Sequence, residues 1–260
     1  MLHGPAATRR SPARPSVLPV LLALATAWAG GCSYTSQVRE KDDTFTRDAL
    51  LSGTAVVVSV VQVDEMDHVR APFVDALERV LRATRPDVKL VPHARAAAAL
   101  DDSTSRVLLL GYQMHGEVDP VWMGRAAASL RSVARYGILA RVEEVVTRRV
   151  DRTDPSTNPD LRSPTGMVRV TGQDARVSVH VYDLESRARV FSGTYWGTSE
   201  VALSEGEDMP PRESETDEID VSSPYDSTSS GLFLKTPPLV RSLEPAFLEF
   251  ARSLPGGPAR

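Results

Sequence analysis

The spacing of apolar residues changes several times along this chain, and each change predicts an element. Val17 to Ala29 is almost continuously apolar, yet falls short of the roughly 20 residues a membrane-spanning helix needs. Ser33 to Ser52 is polar and mixed in charge, and reads as a tether. As a coil it would span roughly 25 Å, and at full stretch up to about 70 Å. Ala55 to Val63 (AVVVSVVQV) is a nearly unbroken β-branched run, the pattern of a strand buried on both faces. Phe73, Leu77, Val80 and Leu81 then recur at helical spacing, with Pro72 tolerated in the first turn. Arg85-Pro86-Asp87 ends that helix, Val88 to Val91 reads as a second strand, and the Ala-rich His93 to Leu100 as a helix. Ser103 to Met114 could be either, but Gly116 and Asp119-Pro120 look like a helix stop and a fresh start, which favours a helix. From Asp119 as N-cap, Trp122, Ala126, Leu130 and Val133 line one face of a helix over Pro120 to Ala134.

Beyond residue 135 the period falls to two. Tyr136 to Val150 reads as a long strand whose alternation (Ile138, Ala140, Val142) slips near Glu143-Glu144, as at a bulge. Residues 151–166 form a Pro/Ser/Thr/Asn insertion. Val168 to Tyr182 places Ala175, Val177, Val179 and Val181 on one face, and Arg176, Ser178, His180 and Tyr182 on another that should be solvated. Asp183 to Ser186 is a turn, and Ala188 to Val201 completes a meander. Residues 203–230 are acidic, Ser-rich and Pro-rich, a second polar insertion expected to be disordered. Leu243, Phe247, Phe250 and Leu254 then stripe a closing helix. The order predicts one domain over residues 54–260 of α+β class, an α/β sandwich. Its mixed sheet carries a three-stranded antiparallel meander, with helices packed on it and a C-terminal helix.

The N-terminus has the three parts of an export signal. Arg9, Arg10 and Arg14 make it positive, Val17 to Ala29 make it apolar, and Ala29-Gly30-Gly31-Cys32 ends it. The small residues let the chain lie extended in a peptidase cleft. This stretch resembles the lipobox of bacterial lipoproteins, and the resemblance implies a signal peptide over residues 1–31. Cleavage between Gly31 and Cys32 and a diacylglycerol on the Cys32 thiol go with it. An ordinary signal peptide with a chance cysteine is the plainer alternative; against it, the only Cys of the chain sits where the motif demands one. Each buried acyl CH₂ adds about 0.8 kcal/mol to the anchor. Ser33 stands where retention in the inner membrane would usually need Asp, so the resemblance further implies the outer membrane with the domain in the periplasm.

Charge narrows the function classes. Thirty Lys and Arg face thirty-four Asp and Glu in the 260 residues, and three of the Arg leave with the leader, so the mature chain is −7. Ser204 to Asp220 alone carries eight acids against Arg212. Outside that loop the charges cancel. No basic stripe exists to displace counterions, which argues against nucleic-acid binding.

Chemistry-bearing residues do not converge. The five His (His3, His68, His93, His115, His180) show no HExxH spacing, and no second Cys offers a zinc site. No G-x-S-x-G elbow or phosphate loop occurs. Asp64-Glu65-Met66-Asp67 could present oxygen ligands, but a charge cluster at a helix N-terminus explains it better. No catalytic set, cofactor or metal is therefore expected. Tyr195 and Trp196 point to opposite faces of a strand, which leaves one of them available as a partner contact.

Val179-His180-Val181-Tyr182-Asp183 followed by Arg189-Val190-Phe191-Ser192-Gly193-Thr194 resembles a strand–turn–strand pattern of exported bacterial lipoproteins. The run Tyr112 to Val142 looks like the same group's helix, Asp-Pro-capped helix and strand. The group includes the curli-secretion lipoprotein CsgG and the penicillin-binding-protein activator LpoB, and its α/β fold is similar to the N-terminal domain of TolB. The resemblance covers roughly residues 54–202 and the final helix. It implies a lipid-anchored module with an envelope protein as partner. A CsgG-like pore would need alternating apolar strands of about 9 to 11 residues, whereas the insertions at 151–166 and 203–230 are polar. A tethered hydrolase or ligand-binding enzyme, with a site gathered from Asp64, Asp67, His68, His93 and His180, is the alternative of another class, and a subunit of an oligomeric secretion complex is a second.

Overall fold

A computed structural model describes residues 36–62, 70–153, 167–204 and 235–257. In chain order they form β1 (Gln37–Lys41), α1 (Arg47–Ser52), β2 (Ala55–Gln62), α2 (Arg70–Thr84), β3 (Leu90–Val91) and α3 (His93–Ala99). Then follow α4 (Asp102–His115), α5 (Pro120–Leu130), β4 (Tyr136–Thr153), β5 (Met167–Asp183), β6 (Ala188–Ser204) and α6 (Leu239–Ser253). The strands make one mixed sheet in the order β1-β6-β5-β4-β2-β3. β2 runs parallel to β3 and β4, and the meander β4-β5-β6 is antiparallel, as is β1 on β6. This is the α+β class that the order of elements predicts.

The unbroken apolar run of β2 is explained by two cores, one on each side. On one face, Phe73, Leu77 and Leu81 of α2 and Leu243, Phe247 and Phe250 of α6 pack against Val57, Ile138, Val177, Val179 and Phe191. On the other, Leu108 and Tyr112 of α4 and Met123, Ala126 and Leu130 of α5 cover Val56, Val58, Leu139 and Tyr182. Caps fix the helices where the sequence places them. Asp101 accepts from the Thr104 N–H (2.8 Å), Asp119 from the Val121 N–H (2.8 Å), and Gly116 closes α4 at φ 70°. Helix α5 stops at Leu130 rather than Ala134, because the Val133 and Ala134 N–H groups both turn back to the Leu130 carbonyl. Helix α6 starts at Leu239 rather than Leu243, since Leu239 and Val240 already lean on the core.

The tether over residues 32–53 is corrected from residue 37 onward. β1 pairs antiparallel with β6, Gln37 opposite Thr194. Phe45 is 1% exposed, its ring 5.3 Å from that of Tyr136 and 6.1 Å from that of Phe191, and Leu50 is buried beside it. All five β1 residues are exposed, so no alternation betrays the strand; backbone pairing alone places it. The domain therefore reaches back well before residue 54.

The slip at Glu143-Glu144 is a bulge: the register shifts between Val142 and Glu144, and both carboxylates meet Arg176, at 3.0 and 3.3 Å. The β2 ladder ends at Val142 and that of β1 at Thr194, so beyond those points the meander continues as a three-stranded ribbon. One face of the ribbon is knit by Arg148, which holds Asp174 with two bonds (2.6 and 2.9 Å) and reaches Glu200, itself bonded by Arg152.

Candidate functional site

Where α4 ends, the sheet face beneath it is uncovered. The chain turns away through Gly116, whose N–H donates to the Tyr112 carbonyl (2.9 Å). The floor left open is polar and arranged in cross-strand rows. Arg141 of β4, Ser178 of β5 and Thr194 of β6 form one; Leu139, His180 and Ser192 form the next. Arg39 and Glu40 of β1 wall one side and His115, Gly116 and Glu117 the other, enclosing a groove of 430 Å³.

Although the groove opens onto it, the face expected to be solvated is largely buried. Ser178, His180, Tyr182, Ser192 and Thr194 are all at least nine-tenths buried. The His180 ring stacks edgewise on Tyr112 at 5.5 Å and on Tyr182 at 6.3 Å. Burial first, and the Arg189, Arg39 and Arg141 guanidiniums after it, push its pKa down to about 4; Glu117 pulls the other way. His180 is thus neutral at ordinary pH. The Tyr112 hydroxyl donates to the Leu139 carbonyl (3.2 Å), and burial raises its pKa well above the usual value.

The charges of the groove are unevenly committed. Arg189 takes both Glu40 and Glu117, each at 3.0 Å through a side-chain N–H, and Arg176 takes Glu143. Among the described residues, Arg39 and Arg141 face no carboxylate within ion-pair distance. Arg141 Nε, Ser178 Oγ, His180 Nδ1 and Thr194 Oγ1 are buried with no hydrogen-bond partner, Ser178 Oγ lying close to the Tyr112 hydroxyl. No group of three or more His, Cys, Asp or Glu is placed to hold a metal among the described residues.

Of the partner-contact candidates, Tyr195 turns inward. It is 1% exposed, its hydroxyl lies 2.6 Å from Ser253 Oγ, and its ring packs on Phe250. Trp196 faces the other way, half-buried under the Arg176 guanidinium, 5.5 Å from its ring. The two described His of the hydrolase set go to different partners. His93 Nδ1 is 2.8 Å from the Val57 carbonyl, while His180 sits on Tyr112. Gly31, Cys32, Asp64, Glu65, Met66, Asp67 and His68 lie outside the described residues, as do residues 154–166 and 205–234. The sequence reading misses Arg141 and Thr194, because only the cross-strand register brings them beside Ser178.

No protein-family model matches the chain, and no curated protein matches it. Among the solved structures similar to part of it are the following three. The PelC dodecamer from Paraburkholderia phytofirmans is 18% identical, covering 64% of this chain and 81% of that one at a TM-score of 0.32. The hypothetical protein CT253 from Chlamydia trachomatis is 15% identical over 58% and 73%, with a TM-score of 0.32. Lipoprotein GNA1162 from Neisseria meningitidis is 11% identical over 56% and 83%, with a TM-score of 0.31.

Proposed function

We propose that this chain is a non-enzymatic, lipid-anchored lipoprotein of the outer membrane, facing the periplasm, that binds an envelope protein partner or supports assembly of an envelope complex. The observation that carries the reading is Ala29-Gly30-Gly31-Cys32 at the end of a short apolar leader, with the only thiol of the chain in the acceptor position. Among the described residues no helix is long and apolar enough to cross a membrane; attachment in this reading rests on the acyl chains on Cys32. A binding role is supported by Leu110 and Met114, one turn apart on α4, which stand 54% and 66% exposed with large apolar side chains. No bound cofactor enters this reading. β1 begins five residues after Cys32, so the anchored link extends no further than about 18 Å.

Cys32→Ala with membrane fractionation tests the anchor, and crosslinking of the wild-type mature chain against Leu110→Asp tests the contact. The anchor variant should leave the membrane fraction, and the α4 variant should lose a crosslinked envelope protein while keeping its Tm. Sedimentation of Cys32→Ala with outer membranes as for wild type overturns the anchor. An unchanged crosslink in Leu110→Asp overturns the contact.

A further inference from the structure

We propose that the groove between the end of α4 and β1 binds a small carboxylate-bearing molecule, held by Arg141 and Arg39 over the Thr194 hydroxyl. The inference goes beyond the anchored partner-binding role and does not depend on it.

Three observations converge on this ligand chemistry. The first is the state of the floor. Arg141 Nε, His180 Nδ1 and Thr194 Oγ1 are buried and unpartnered, on side chains from three adjacent strands. A buried polar group without a partner costs about 1 to 3 kcal/mol. A face that served only to be wetted would let such groups reach solvent, and one that served only packing would be apolar. The second is the kind of group left over. The guanidinium N–H and the Thr194 hydroxyl donate, and a neutral imidazole donates from Nδ1 when the proton is placed there. The missing partner is therefore an acceptor with several lone pairs.

The third is charge. Glu40 and Glu117 are taken by Arg189, and Glu143 by Arg176, whereas Arg39 and Arg141 remain uncommitted among the described residues. Two cations and a row of donors fit an oxyanion. The opposite wall limits how negative that anion can be. The C-terminal end of α4 carries partial negative charge at His115-Gly116, and Glu117 stands beside it. A monoanionic carboxylate meets less opposition there than a dianionic phosphate. The 430 Å³ volume falls within the range of small-ligand sites, about 300 to 1,000 Å³. Gly116 belongs to the same construction: a Cβ there would come within 2.6 Å of Arg141 Nη1, so the left-handed cap also leaves that guanidinium its place over the floor.

The test uses the purified full chain in detergent, with sodium acetate as probe and sodium phosphate and sodium chloride at matched ionic strength. Acetate should raise Tm with saturating dose dependence, while chloride should not. Arg141→Gln should weaken the acetate response at least tenfold. Thr194→Val, which removes a buried unpartnered hydroxyl at nearly constant shape, should keep or raise the ligand-free Tm and abolish the response. That opposition between stability and binding is what a purely structural hydroxyl cannot produce. In ¹⁵N-histidine spectra of the wild type at pH 7, which need no variant to fold, acetate should shift the His180 ring resonances. Equal responses to chloride, an intact acetate response in either variant, or unmoved His180 resonances each overturn the proposal. Phosphate outcompeting acetate overturns the choice of a carboxylate.

Discussion

At the scale of single residues, His180 illustrates how pairing can change the meaning of a side chain. It alternates with Arg176, Ser178 and Tyr182 as a polar strand face should, yet α4 comes down over it and Tyr112 fills the space beside its ring. Burial holds the imidazole down at about 4, from an ordinary 6.5. Between those values the unfolded chain takes up a proton that the folded one refuses. Stability present in full above pH 6.5 is therefore lost as the pH falls toward 4, by about 3 kcal/mol at the bottom of the window. His180→Phe, which keeps a ring against Tyr112, should flatten that slope. Urea unfolding at pH 7.5 and 4.5 checks it, and a variant as pH-sensitive as wild type would remove His180 from the account. The groove around His180 is illegible in the sequence for the same reason. Arg141, Ser178 and Thr194 are scattered along the chain, and only the ladders of β4, β5 and β6 align them.

At the scale of elements, what the sequence reveals is what local periodicity controls. The β2 run, the Asp119 cap, the Gly116 stop and the slip in β4 all follow from neighbouring residues, and each recurs in the structure. What stays hidden is what a distant backbone controls. β1 carries no apolar stripe and is held by the edge of β6. Gly197 is a second case. It lies in β6 where α6 crosses, and a Cβ there would fall 1.8 Å from the Ser242 carbonyl oxygen and 3.0 Å from the Ala246 nitrogen. Both are backbone atoms, so the helix itself would have to move. Gly197→Ala should therefore cost about 1 to 3 kcal/mol, read as a lower midpoint in urea. A stability equal to wild type would mean that α6 slides freely on the sheet.

At the scale of the whole molecule, the correction at the N-terminus decides where the domain can be cut. A chain begun at residue 54, the boundary suggested by polarity, would lose Phe45 and Leu50 from the core and expose the rings of Tyr136 and Phe191. Truncating one buried Phe costs about 3 to 5 kcal/mol, a large part of a domain's net stability of about 5 to 15 kcal/mol. The chain begun at residue 36 should melt cooperatively, and the one begun at 54 should not; calorimetry distinguishes them. Equal transitions would show β1 and α1 to be ornaments on a self-sufficient body.

The bulge in β4 bears on how the long ribbon could vary. Val142 and Val145 both face the α6 side although they stand three apart, since Glu143 and Glu144 together oppose a single Arg176. Loss of one glutamate would restore strict alternation and leave every other side chain of the strand pointing as it does now. Loss of one residue farther out, at Arg148 for example, would turn the rest of the strand over. The hinge of the ribbon is thus its one tolerant position, where the chain can shorten and the ribbon re-aim without exchanging inside for outside.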